Sequence, residues 1–196
     1  MKSIVLILFA FTASLLGQET VLELDPAQTQ VQFTLSDVMH TVHGAFKLKR
    51  GTVRYDFATG KSSGEIVIDA QSGNSGSDAR DKRMHKNILE SDRYPEIAFI
   101  PDHVEGAMAK ATIHGTFRIH GKDHEMMLVV ETAAAGDRLN VSTRFVIPYV
   151  EWGMKNPSTL FLRVGDKVNM MLLSDASDVH ALGRVRPVAG TAAVTR

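Results

Sequence analysis

A two-residue apolar rhythm runs through most of this chain, and one basic helical stretch interrupts it. Leu139, Val141, Thr143, Phe145 and Ile147 form the longest run. Val31, Phe33 and Leu35 alternate with Gln30, Gln32 and Thr34, and Ile66 and Ile68 mark a further run through Ala70. Side chains of a strand alternate between two faces, so segments of this kind each bury one face of a sheet. Val42, Gly44 and Phe46 read as one short strand, with Gly44 as a bulge or a close approach. Val53 and Tyr55 belong to the next. Later strands are predicted over residues 96–100, 112–120, 124–132, 138–148 and 167–173. Gly121-Lys122 suits a tight hairpin turn. Short turns impose antiparallel pairing, because parallel pairing needs a long crossover.

The interruption reads Ser77-Asp-Ala-Arg-Asp-Lys-Arg-Met-His-Lys-Asn-Ile-Leu89. Met84, His85, Ile88 and Leu89 share one stripe, with Lys82, Arg83 and Lys86 elsewhere. Ser75 or Ser77 supplies a cap for a helix here, and Pro95 disfavours helix at the residue before it. The expected fold class is therefore all-β: an antiparallel barrel or sandwich with one short helix inserted between strands. Such folds often enclose an apolar ligand.

Residues 1–17 carry one Lys, an apolar run and then small residues. That is the layout of a secretory signal peptide, with cleavage expected after Gly17. Its apolar run is shorter than a spanning helix needs, so no stable membrane span is expected in the mature chain. There is no Cys, which removes disulfides, thiolate metal sites and thiol catalysis. Lys plus Arg and Asp plus Glu both number 22, so no net charge draws the chain to nucleic acid. A periplasmic or secreted location in a bacterial envelope fits these features. Residues 18–173 are expected to form the domain, and residues 174–196, which lose periodicity, a loose tail.

Five stretches in order carry a resemblance to a known family. They are Leu24-Asp25 with Val31-Gln-Phe33, Val42-His-Gly-Ala-Phe46, Ala79-Arg-Asp-Lys-Arg-Met-His85, Arg93-Tyr-Pro-Glu-Ile-Ala-Phe99 and Ile113-His-Gly-Thr-Phe-Arg-Ile-His-Gly121. In this order the chain resembles the YceI-like family of periplasmic isoprenoid-binding proteins. The segment from Trp152 to Arg163 is similar to a version found in part of that family. The resemblance implies a lipocalin-like antiparallel barrel with an apolar pocket for a long isoprenoid or quinone-type lipid. It implies no catalytic residues and no cofactor.

A pocket for a polyprenyl chain needs apolar walls and one polar mouth. The inward-facing candidates are Val31, Phe33, Leu35, Phe46, Ile66, Ile68, Ile97, Phe99, Phe117, Ile119, Phe145 and Ile147, with Ile88 from the helix. Met84, Met127 and Met170 are added because methionine repacks around a featureless ligand. Arg80, Arg83 and His85 are the head-group candidates. The same side chains also suit a solid core. No metal site is expected: His40 and His43 do not converge on a strand, and His114 and His120 lie six residues apart. No Gly-x-Ser-x-Gly elbow or phosphate loop is present.

Residues 126–130 and 170–173 are continuous apolar runs, which need cover on both faces. A homodimer is one such cover. The expected function is an exported, non-catalytic carrier of an isoprenoid or related lipid. Two alternatives stay open: a stress-response or interaction module with a filled core, and a lipid-modifying enzyme with a buried polar pair.

Overall fold

The computed structural model describes residues 19–36, 41–136, 138–159 and 163–178. The expected signal peptide and residues 179–196 of the expected tail lie outside them, as does His40. Nine strands occur among the described residues. They are β1 Thr20–Leu24, β2 Gln30–Ser36, β3 Thr41–Asp56, β4 Lys61–Asn74, β5 Glu96–Ala107, β6 Lys110–Ile119, β7 Lys122–Ala135, β8 Arg138–Ile147 and β9 Val168–Asp178. Between β4 and β5 lie helix α1, Asp78–Arg83, and a π-helix, Met84–Leu89, that continues it.

From β3 to β9 each strand pairs antiparallel with the next along the chain, β4 with β5 included, although the helical insertion lies between them. The barrel closes because β1 and β2 act as one stave. β2 pairs with the first part of β3 and with β9, while β1 pairs with the last part of β3 and the end of β9. The result is a closed eight-stave antiparallel barrel with one short helical insertion. Closure leaves little free sheet edge among the described residues, the gap being where β7 meets β8 only from Val130 to Ala135.

Parity explains which side chains fill the bore. Ala111, Ile113, Phe117 and Ile119 point inward from β6, and Val168, Met170, Leu172, Ser174 and Ala176 do so from β9, by the register of their partners. The predicted break between residues 46 and 53 is absent: β3 is one strand of 16 residues. At Ala45/Lys47 the extra residues belong to β4, but between Leu48 and Arg50 β3 itself carries one, which shifts its parity, so Val42 and Leu48 point inward first and Val53 and Tyr55 later. A bulge re-aims the strand, and this one hides the continuity from a period count. Pro101 sits at the irregularity of β5, where a missing N–H is tolerated.

Two further expectations are corrected. β9 runs to Asp178, and Ser174 and Ala176 are buried, so the loose tail does not begin at residue 174. The polar letters there are held by partners: Thr29 Oγ1 and Ser174 Oγ lie 2.7 Å apart. The β6–β7 turn consists of His120 and Gly121, both with positive φ, because Ile119 pairs with Lys122. That is the type I′ arrangement that fits strand twist, one residue earlier than the sequence pattern suggests.

The apolar runs have a simple outcome. Leu128 and Leu172 are buried in the bore, whereas Met127, Val129, Val146 and Leu173 are exposed on the outer wall. Nothing among the described residues covers them. Also among the described residues, no helix is long and apolar enough to cross a membrane.

Candidate functional site

The helical insertion lies across one end of the barrel, and local contacts fix it there. Asp81 accepts hydrogen bonds from the backbone N–H of Ser75 and from its hydroxyl. Arg80 donates to Ser75 Oγ at 2.7 Å and to Ser75 O at 3.0 Å. Thus Ser75, just past the end of β4, receives the helix. Ser77 occupies the N-cap without a side-chain cap bond. His85 supplies the second anchor. Its Nε2 lies 2.8 Å from the Gly73 carbonyl and its Nδ1 3.1 Å from Ser91 Oγ.

Gly73 also gives the helix room. A Cβ there would stand 2.5 Å from the Phe46 ring and 2.7 Å from the Met84 methyl. The π-helical turn follows directly, and such turns are common at functional sites because they shift side chains on one face. Met84 and Ile88 are thereby turned toward the barrel.

Beneath this insertion is a cavity of about 400 Å³. Of the sequence candidates, Phe33, Leu35, Phe46, Ile68, Met84, Ile88, Ile97, Phe117, Ile119, Ile147 and Met170 line it, with Arg80 and Arg83 at its polar side. A second cavity of about 90 Å³ lies further along the bore. Ile66, Ile68, Phe99, Phe117 and Phe145 line that one, so Ile68 and Phe117 belong to both. The larger volume falls at the low end of the roughly 300–1,000 Å³ typical of small-molecule sites.

Three candidates stand elsewhere. Met127 is 66% exposed on the outer wall, because it sits between the inward Met126 and Leu128. Strand parity excludes it from the bore. Val31 is packed in the core and lines neither cavity. His85 does not line a cavity either, and both its ring nitrogens are engaged in holding the insertion.

Periodicity does not identify Tyr149, Met154, Pro157 and Val164, which line the larger cavity from the β8–β9 connection. The available signal was apolar side chains within an aperiodic segment, which a solvated loop does not require. The connection is fastened at several points. Tyr149 donates its hydroxyl to the Gly165 carbonyl at 2.7 Å. Burial, reinforced by the Asp166 carboxylate, pushes its phenol up to about 12. Trp152 stacks on His124 with centroids 4.0 Å apart and planes 8° apart, and it also packs on Phe117. Burial, with the Lys122 ammonium second, holds the His124 imidazole below its ordinary value.

Head-group chemistry is unevenly available. The Arg80 guanidinium is committed to Ser75. Arg83 is exposed and makes no hydrogen bond or ion pair among the described residues. Also among these residues, no group of three or more His, Asp or Glu side chains is placed to hold a metal ion.

Solved structures share this architecture. BcnA of Burkholderia cenocepacia is 20% identical, with a TM-score of 0.68 over 79% of this chain and 99% of its own. A polyisoprenoid binding domain from Saccharophagus degradans is 17% identical, with a TM-score of 0.61 over 80% and 98%. A YceI protein of Campylobacter jejuni is 14% identical, with a TM-score of 0.51 over 91% and 98%. At these identities the likeness concerns the fold. No curated protein matches the chain. The YceI-like domain family model matches residues 22–175, nearly the whole of the closed barrel, and the chain belongs to that family.

Proposed function

We propose that this protein is an exported binding and carrier protein for an isoprenoid or related apolar lipid, held in the larger cavity. The observation that carries the reading is an apolar chamber of about 400 Å³ inside a closed barrel, with free Arg83 at its polar side. A prenyl chain in that chamber leaves water for apolar walls, and each buried methylene contributes about 0.8 kcal/mol. The domain from Saccharophagus degradans, described as polyisoprenoid-binding, supports the same class of ligand. No bond needs to be made or broken; the work is desolvation of an insoluble chain. Delivery to the periplasm or beyond is part of the proposal and rests on the composition of residues 1–17.

The test is native mass spectrometry of protein purified from the envelope of its own host, followed by organic extraction. A discrete lipid bound to the chain is the expected result. Empty protein that also ignores added prenols and quinones would sink the carrier reading. It would favour the interaction module, for which exposed Met127, Val129, Val146 and Leu173 offer the surface.

A further inference from the structure

We infer that Phe117, with Ile68, forms the floor of the lipid chamber and limits the length of prenyl chain the protein accepts. The inference rests on the carrier reading above and adds the size class of the ligand.

Two cavities share the bore, one of about 400 Å³ and one of about 90 Å³. Phe117 and Ile68 line both, so they stand where the two volumes meet. They come from opposite sides of β5: Ile68 pairs with Ile97, and Phe117 pairs with Phe99. Phe117 is 2% exposed and Ile68 is 5% exposed.

The Phe117 ring is not free to swing aside. It meets Phe145 edge-on with centroids 5.8 Å apart, and Trp152 at 5.9 Å. Phe145 faces the smaller cavity, and Trp152 belongs to the connection that covers the larger one. Moving the ring would therefore disturb both ends of the site. Close-packed interiors resist such a change.

The larger chamber alone suits a molecule at the small end of the drug-sized range. A farnesyl or geranylgeranyl chain has that bulk. An octaprenyl or nonaprenyl chain must continue past Phe117 or leave its end in water. The structure thus assigns short prenyl chains as preferred cargo and makes Phe117 a specificity-determining residue.

The experiment offers the full mature protein geranylgeraniol and solanesol together, at equal mole fraction in phosphatidylcholine vesicles. Native mass spectrometry then reads the ratio bound. The wild type is expected to take geranylgeraniol preferentially. Phe117→Ala and Ile68→Ala each join the chambers, and every further buried methylene adds roughly fourfold in affinity. The ratio should therefore shift toward solanesol by about tenfold or more. Phe117→Leu serves if the alanine variant fails to fold, with a smaller shift in the same direction. Equal uptake of both prenols by the wild type overturns the inference and leaves the carrier reading intact. So does an unchanged ratio in folded variants. Uptake of neither prenol by the wild type defeats the carrier reading, and the inference with it.

Discussion

Glu90 and His120 are the two non-glycine residues with positive φ among those described, and they face each other, Glu90 Oε1 lying 3.6 Å from His120 Nε2. Glu90 ends the π-helix at φ 46°, and its N–H donates to the His85 carbonyl. His120 opens the β6–β7 turn at φ 53° and packs against Tyr94 at 4.8 Å between centroids. The insertion therefore meets the barrel at two points where the backbone is locally costly.

That arrangement separates backbone strain from the side-chain contact. Glu90→Ala removes the carboxylate and keeps a left-handed Cβ, whereas Glu90→Gly removes both. The glycine variant should be more stable than the alanine variant by about 1 kcal/mol, since a left-handed residue with a Cβ costs roughly 1–2 kcal/mol. Urea unfolding of the two variants checks this. An alanine variant as stable as the glycine one would show that position 90 carries no backbone strain.

Gly44 tests the close approach at the mouth end of β3. A Cβ there would lie 2.2 Å from Phe33 Cζ and 2.5 Å from the Asn74 carbonyl oxygen. The ring could turn, but the carbonyl belongs to backbone. Gly44→Ala is expected to destabilise by about 2 kcal/mol, as overpacking commonly does. It should also weaken prenol uptake, because Phe33 lines the chamber. A melt unchanged from wild type would contradict this geometry.

His124 gives a pH dependence with a definite sign. Its folded value is lowered from 6.5, first by burial and then by Lys122. As pH falls through about 6.5 the unfolded ring takes up a proton more readily than the folded one. The unfolded state then binds more protons, so this group's contribution is present above that pH and is lost below it. His124→Phe keeps an aromatic partner for Trp152 and removes the titration. Urea midpoints at pH 7.5 and pH 5.5 should differ less in the variant than in wild type. An equal or larger drop in the variant refutes the assignment.

The methionines should separate by parity. Met170 is 6% exposed and lines the larger cavity, whereas Met127 is 66% exposed. Met170→Lys buries an unpaired charge and is expected to cost more than about 4 kcal/mol. Met127→Lys should fall within about 0.5 kcal/mol of wild type and leave lipid uptake unaltered. Thermal melts and prenol titration of both variants decide this.

The two methionines also mark how far sequence reaches. Alternation identifies Phe117, Ile119, Phe145 and Ile147 as inward, because each lies on a strand that keeps one parity throughout. Met127 defeats it, since Met126 to Val130 is apolar at every position and a period cannot be phased there. The join between Phe46 and Val53 is hidden for a related reason: one irregularity, between Leu48 and Arg50, resets the parity of β3. Tyr149 and Met154 are invisible to any period, because they reach the chamber from a loop. His85 lies on the apolar stripe as expected, but only the fold brings Gly73 and Ser91 to its two nitrogens.

Arg83 should distinguish lipids by their head group. Arg80 is bonded to Ser75 and helps hold the insertion, so Arg80→Ala is expected to lower stability along with binding. Arg83 has no such duty, and Arg83→Gln should melt like wild type. An exposed guanidinium still adds a charge-assisted hydrogen bond to a phosphate, partly screened by solvent. Arg83→Gln should therefore weaken binding of geranylgeranyl phosphate by about fivefold and leave geranylgeraniol within twofold. The effect should shrink as salt is raised, since the site is open to water. Paired titrations followed by Trp152, the single tryptophan of the chain, measure both ligands in one system. Equal losses for the phosphate and the alcohol would place Arg83 among the walls of the chamber, and the head group would then have to be held elsewhere.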